Sequence, residues 1–210
     1  MLLAIDPGMN SPGVALYDIV RREVRAANAL EIPSDWVTIE AGQRWRAVGD
    51  EIVRWTQNAV GGFVALTDII FEKPHWYARH KSKGDPNQLV GIAGVAANVT
   101  GAMRTVTGIR SPEPSEWIGQ LPKVCPVCEG RKTAPRTDGK RGRGKPRICS
   151  ACNNSAWGTP RGRRIWSKLT DKERAVVPDQ NDAIDAVGLA LYWDRRLERV
   201  SIFSNGHDGR

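Results

Sequence analysis

The sequence predicts an α/β fold: a mixed five-stranded sheet with helices on both faces. Three observations carry that expectation. Leu2-Leu3-Ala4-Ile5 and Ile69-Ile70-Phe71 are short apolar runs of the kind that form buried strands, and each ends on a carboxylate, Asp6 or Glu72. Helical periodicities alternate with the later strand-like runs along the chain. Gly, Pro, Asn and Ser gather at the joints, most clearly between Gly8 and Gly13.

Residues 1–6 and 14–19 read as two strands joined by that turn. Residues 22–32 supply a third and complete an antiparallel meander. Residues 41–60 predict a helix, because Trp45, Val48, Ile52, Trp55 and Ala59 recur at helical spacing. Residues 68–73 form a strand, which Pro74 stops. A long Gly-, Ala- and Val-rich helix covers 87–107. A short fifth strand starts at Ile109, a short helix at Ser115, and the last helix covers 179–199. Residues 1–121 and 165–200 are expected to make one discontinuous core. Residues 122–164 are an insert, and 201–210 a tail.

Length and charge narrow the function. The chain has 210 residues, 40% of them hydrophobic, enough for one sizeable core. No apolar run approaches the roughly 20 residues of a membrane span, and no signal peptide is expected from the first residues. An intracellular, cytoplasmic protein of a bacterium or an infected host cell is expected, with no membrane partner. Overall there are 31 Lys and Arg against 23 Asp and Glu. Between Gln120 and Arg164 stand 12 of those bases against only Glu129 and Asp138, which leaves 19 bases against 21 acids elsewhere. A local basic segment on a near-neutral body suits a polyanion, and nucleic acid first. A solvated basic loop is the plainer alternative.

The four cysteines form two knuckles, Cys125-Pro126-Val127-Cys128 and Cys149-Ser150-Ala151-Cys152. That spacing predicts a closed four-cysteine zinc ribbon, with Zn2+ in a structural role. Disulfides suit a basic intracellular protein poorly. Between the knuckles run Arg131, Lys132, Arg136, Lys140, Arg141, Arg143, Lys145 and Arg147, broken by Gly and Pro. This composition cannot build a core; it suits a finger that neutralises phosphates, with steep salt dependence. Arg161, Arg163, Arg164 and Lys168 flank the return to the main fold.

Four acids are the candidate catalytic residues. Asp6 and Glu72 end two strands, while Asp182 and Asp185 lie three apart and share one face of the last helix. Together they can cage hard divalent metals, since Mg2+ prefers oxygen ligands and a two-metal site needs several carboxylates. Plainer readings exist for each. Asp179 after Pro178 resembles an N-cap with Asp182 as its capping-box partner, and acids in a first turn suit the helix dipole. Glu72 could simply face solvent. Asp185 is harder to dismiss among Ala183, Ile184, Ala186 and Val187.

The order of three strands, helix, strand, helix, strand, helix is the ribonuclease H-like layout. Within it the chain resembles RuvC-type Holliday junction resolvases, as a phage or divergent member. The matching pieces are Ala4-Ile5-Asp6-Pro7-Gly8, Ile69-Ile70-Phe71-Glu72 and Asp182-Ala183-Ile184-Asp185-Ala186, with Pro112 to Trp117 between them. The resemblance covers 1–121 and about 165–199. It implies that Asp6, Glu72, Asp182 and Asp185 hold two Mg2+ or Mn2+ ions, with Asp179 in reserve. It implies hydrolysis of phosphodiester bonds in branched DNA. It also implies a homodimer through the 87–107 helix, whose Gly91, Gly94, Ala97 and Gly101 allow close approach; packing on the chain's own sheet would use the same small residues. An aromatic and basic loop after Glu72 is expected to meet the junction through His75, Trp76, Tyr77, Arg79, Lys81 and Lys83. Packing of Trp76 or Tyr77 in the core is the alternative.

The zinc insert departs from the bacterial pattern and bears on substrate more than on chemistry. It also resembles the nuclease lobe of transposon-encoded RNA-guided nucleases, which carry large guide-binding domains absent from these 210 residues. Two other functions stay open: a flap, fork or single-strand nuclease of the same fold, and a non-catalytic zinc-ribbon DNA-binding protein. An actin-like ATPase could share the first strand and turn, but no further Gly-rich phosphate loops are evident.

Overall fold

The computed structural model describes residues 1–33, 40–60, 66–73, 86–103, 105–120 and 160–197. Strands β1 (Leu2–Asp6), β2 (Gly13–Asp18) and β3 (Glu23–Ala29) form the meander. Helix α1 (Ala41–Val60), strand β4 (Asp68–Phe71), helix α2 (Pro86–Ala102), strand β5 (Gly108–Arg110) and helix α3 (Pro114–Gln120) follow. Helix α4 (Pro160–Trp166) spans the expected end of the insert, and α5 (Asp171–Arg174) and α6 (Asn181–Trp193) follow. The sheet order is β3-β2-β1-β4-β5, with β1 antiparallel to β2 and parallel to β4.

The sheet is buried on both faces, so its central strands read as continuous apolar runs rather than alternating ones. Alternation still decides which side chain goes where. Leu3 and Ile5 of β1 pack with Val48 and Ile52 of α1 and with Val95 and Val99 of α2. Leu2 and Ala4 face the other way, onto Ile184, Val187 and Leu191 of α6. Helix α6 is apolar around most of its circumference, as a helix enclosed on all sides must be. Below it lies the sheet; above it lie Trp117 of α3 and Ile165 of α4.

Several boundaries differ from the sequence reading. Helix α2 ends at Ala102 rather than 107, because the Thr107 N–H bonds the Thr67 carbonyl as the chain turns into β5. Helix α6 starts at Asn181, with Gln180 at the N-cap making no side-chain cap. Asp179 is therefore not the cap, and the capping-box explanation of Asp182 does not hold. The Gln180 side chain instead accepts from the Ala29 N–H, tying α6 to β3. Helices α4 and α5 occupy a stretch where the sequence pattern predicts no element. Among the described residues no helix is long and apolar enough to cross a membrane.

The small residues of α2 divide between two faces. Gly91 and Gly94 receive the Trp45 ring of α1, within the same chain. Ala97 and Gly101 are exposed.

Candidate functional site

Strand parity brings the two strand-end acids together. Asp6 continues the series Leu2 and Ala4, so its side chain belongs to the α6 face. Glu72 continues the series after Ile70, which packs on that same face. The β1–β4 register sets Ala4 opposite Ile70 and Ile5 opposite Phe71. The Glu72 N–H then reaches the Ile5 carbonyl at 3.2 Å, which carries the pairing one step further and sets Glu72 beside Asp6.

Helix α6 lays its first turns over these strand ends. Asp185 is 4% exposed, and Asp182 one turn earlier is half-buried. The approach is close: a Cβ on Gly13 would lie 1.8 Å from the Asp182 carbonyl oxygen, so only glycine lets β2 pass beneath the helix start. On the opposite side, a Cβ on Gly188 would sit 2.7 Å from both Ile165 and Trp117. That gap lets α3 and α4 settle on α6 beside the acids.

Two side chains from those helices complete the cluster. The Trp117 indole N–H donates to Glu72 Oε2 at 2.9 Å. The Arg161 guanidinium makes an ion pair with Asp185 Oδ2 and lies 5.5 Å from the centroid of the Trp117 ring.

The electrostatics follow from this crowding. Loss of hydration holds the Asp6 carboxyl well above the usual carboxylate range, and the charges of Glu72, Asp185 and Asp182 push it further, with Arg161 opposing. Burial pushes Asp185 up to about 6; Arg161 opposes, while Glu72 and Asp182 add to the rise. Asp6 thus feels all three of the other acids. Among the described residues, however, no three His, Cys, Asp or Glu side chains converge into a ready metal site. Arg161 draws on Asp185 and Trp117 draws on Glu72 instead. The donor set still fits a hard divalent cation: the donors are all carboxylate, they repel one another, and the buried Asp185 Oδ1 has no hydrogen-bond partner.

The remaining expected site residues distribute differently. Arg164 is half-buried on α4; burial and the neighbouring Arg161 charge hold its guanidinium below its usual value. The side chain of Arg163, the loop from His75 to Lys83, both cysteine knuckles and the bases 131–147 lie outside the described residues. The sequence marks Arg161 only as one of several flanking bases. Its signal is modest: a base next to Pro160, and proline favours the first turn of a helix.

No family model matches the sequence. No curated protein matches it either. Solved structures do. One is RuvC of Thermus thermophilus in complex with a Holliday junction substrate, with a TM-score of 0.50 and 10% identity over 90% of this chain and 89% of that one. Another is a second Thermus thermophilus RuvC structure, again with a TM-score of 0.50 and 10% identity, over 90% of each chain. At that identity the likeness speaks to the fold. With the observed strand order and helices on both faces, the fold is ribonuclease H-like.

Proposed function

We propose that this chain is a divalent-metal-dependent endonuclease acting on branched DNA, four-way junctions first. One observation carries the reading: Asp6 and Glu72 stand side by side at the ends of adjacent strands, and the first turns of α6 lay Asp182 and Asp185 over them, so each feels the others' charge. Carboxylates crowded out of water have a reason to be there when a cation joins them. The four would hold Mg2+ or Mn2+, which when bound supplies a water nucleophile at neutral pH and steadies the leaving 3′-oxygen. Trp117 holds Glu72 in orientation through its N–H. The similar RuvC structure solved with a Holliday junction supports that substrate.

Three further parts belong to this reading. The two CxxC knuckles hold a structural Zn2+, and the bases between them grip phosphates. The aromatic and basic residues 75–83 meet the junction centre. The protein acts as a homodimer through α2. Val90 is 58% exposed, and with the exposed Ala93, Ala97 and Gly101 it forms one stripe along that helix. Ala97→Glu should move the sedimenting species from dimer to monomer; an unchanged dimer would remove α2 from the interface.

The decisive experiment incubates the protein and its Asp6→Asn variant with a labelled four-way junction, a flap, a single strand and a linear duplex, with and without Mg2+ or Mn2+. Paired symmetric nicks in the junction are expected, lost in the variant while binding persists. Equal cutting of flaps or single strands would make it a broader branch nuclease. Binding with no metal-dependent cutting of any substrate would leave a zinc-ribbon DNA-binding protein.

A further inference from the structure

Among the described residues, two Arg–carboxylate pairs with a buried acid are built in opposite ways. Glu173 and Arg196 form a closed pair. Arg196 donates to Oε1 at 2.5 Å and to Oε2 at 2.8 Å, the Val24 N–H adds to Oε1 at 2.9 Å, and the Thr170 N–H adds to Oε2 at 2.9 Å. Both carboxylate oxygens are saturated. Arg161 and Asp185 form an open pair. One guanidinium nitrogen meets one carboxylate oxygen, while Asp185 Oδ1 and Arg161 Nε are both buried without a hydrogen-bond partner.

An under-satisfied buried pair keeps much of its desolvation cost, because unmet polar atoms in low dielectric are expensive. Such a pair can be exchanged for a better one. The Arg161 side chain is 34% exposed against 5% for Asp185, so the guanidinium is the partner with a way out. Facing it are Asp185 from α6 and the Trp117 ring from α3, with Asp6 of β1 also within its electrostatic reach. Its own helix presents the like charge of Arg164.

We propose that Arg161 is the resident counter-cation of the acidic cluster, holding Asp185 in the metal-free protein and yielding it when a divalent cation enters. The inference rests on the metal-site reading above. Arg161 is then a positioning residue that sets how strongly the site takes metal. It keeps Asp185 folded inward in the absence of metal, and it weakens metal binding by competition for Oδ2.

The test is calorimetric titration of Mn2+ into full-length protein freed of Mg2+ and Mn2+ with its zinc retained: wild type, Arg161→Gln, Arg161→Lys and Asp185→Asn, each checked for folding by circular dichroism and thermal melting. Arg161→Gln is expected to bind Mn2+ tighter by on the order of tenfold. It should melt lower than wild type without metal and gain more from saturating Mn2+. Arg161→Lys should fall between the two. Mn2+ affinity in folded Arg161→Gln equal to or weaker than wild type would overturn the proposal. If the glutamine variant does not fold, the lysine variant decides by the same criterion. Asp185→Asn separates the two levels. If it binds Mn2+ as wild type does, the metal-site reading itself fails. If it loses Mn2+ while the Arg161 variants match wild type, only the role of Arg161 fails.

Discussion

The Trp117 indole donates its only N–H to Glu72 at 2.9 Å, although the two residues sit on opposite sides of β5 in the chain. The tryptophan is fully buried, so one side chain both fills the core above α6 and orients an acid at its edge. Trp117→Phe would keep most of the packing and remove the donor. A loss of roughly 2–3 kcal/mol is expected from the hydrogen bond to a charged group and the space left behind. Cleavage should fall more than stability accounts for, because Glu72 is released. Urea unfolding and single-turnover cleavage measured side by side would show this. Cleavage that tracks the folded fraction alone would make Trp117 a packing residue only.

Gly13 carries no functional group, yet the site depends on it. Any Cβ there would strike the Asp182 carbonyl at 1.8 Å, and backbone cannot move aside as a flexible side chain can. Gly13→Ala should displace the start of α6 and cost about 1–3 kcal/mol, as overpacking does. It should weaken metal binding as well, by shifting Asp182 and Asp185 against Asp6. Unchanged stability and Mn2+ affinity would mean that α6 does not sit this close to β2.

Much of this arrangement is legible in the sequence. Asp6 and Glu72 each end an apolar run, and strand parity with Leu2, Ala4 and Ile70 follows once those runs are strands. Asp185 stands out because an acid inside an otherwise apolar helix has to be explained. Other features are illegible for physical reasons. Trp117 and Arg161 act through long-range contacts that no local periodicity encodes. The start of α6 is misread because Asp179 has the chemistry of a cap but Gln180 takes the position. Helix α5 is four residues long, below the reach of hydrophobic periodicity. Its Thr170–Glu173 capping box is nonetheless written in the sequence.

Glu173 is expected to contribute to acid sensitivity. Burial alone would raise its pKa, but the Arg196 hydrogen bonds and the Thr170 and Val24 backbone donors bring it down to about 2 from an ordinary 4.5. The native state therefore binds its proton less readily than the unfolded chain. The stabilisation is fully present above pH 4.5 and is lost as pH falls towards 2, about 3 kcal/mol in all. Glu173→Gln should be less stable than wild type at pH 7, since it strips a buried Arg196 of its counter-charge. Its stability should also fall less between pH 5 and 3. Parallel urea-unfolding curves for the two proteins over that range would assign the acid sensitivity elsewhere.

Asp185 works in the opposite sense. Its carboxyl is pushed up to about 6 from an ordinary 3.8, chiefly by burial, so the native state holds the proton that the unfolded chain releases. That contribution is complete below pH 3.8 and lost as pH rises through about 6. Asp6, raised for the same reason, adds in the same direction. In chelator, wild-type protein should therefore lose stability from this cluster between pH 4.5 and 7, and Asp185→Asn should lose less. Saturating Mn2+ should reverse the trend, because metal binds the ionised carboxylates and stabilises the folded state more at pH 7 than at pH 5. Urea unfolding at both pH values, with chelator or with Mn2+, measures all four conditions. A metal-free stability that rises from pH 5 to 7 equally in wild type and variant would mean that Asp185 is ionised and comfortable without metal. The crowding proposed to make the ends of β1 and β4 a cation site would then be absent.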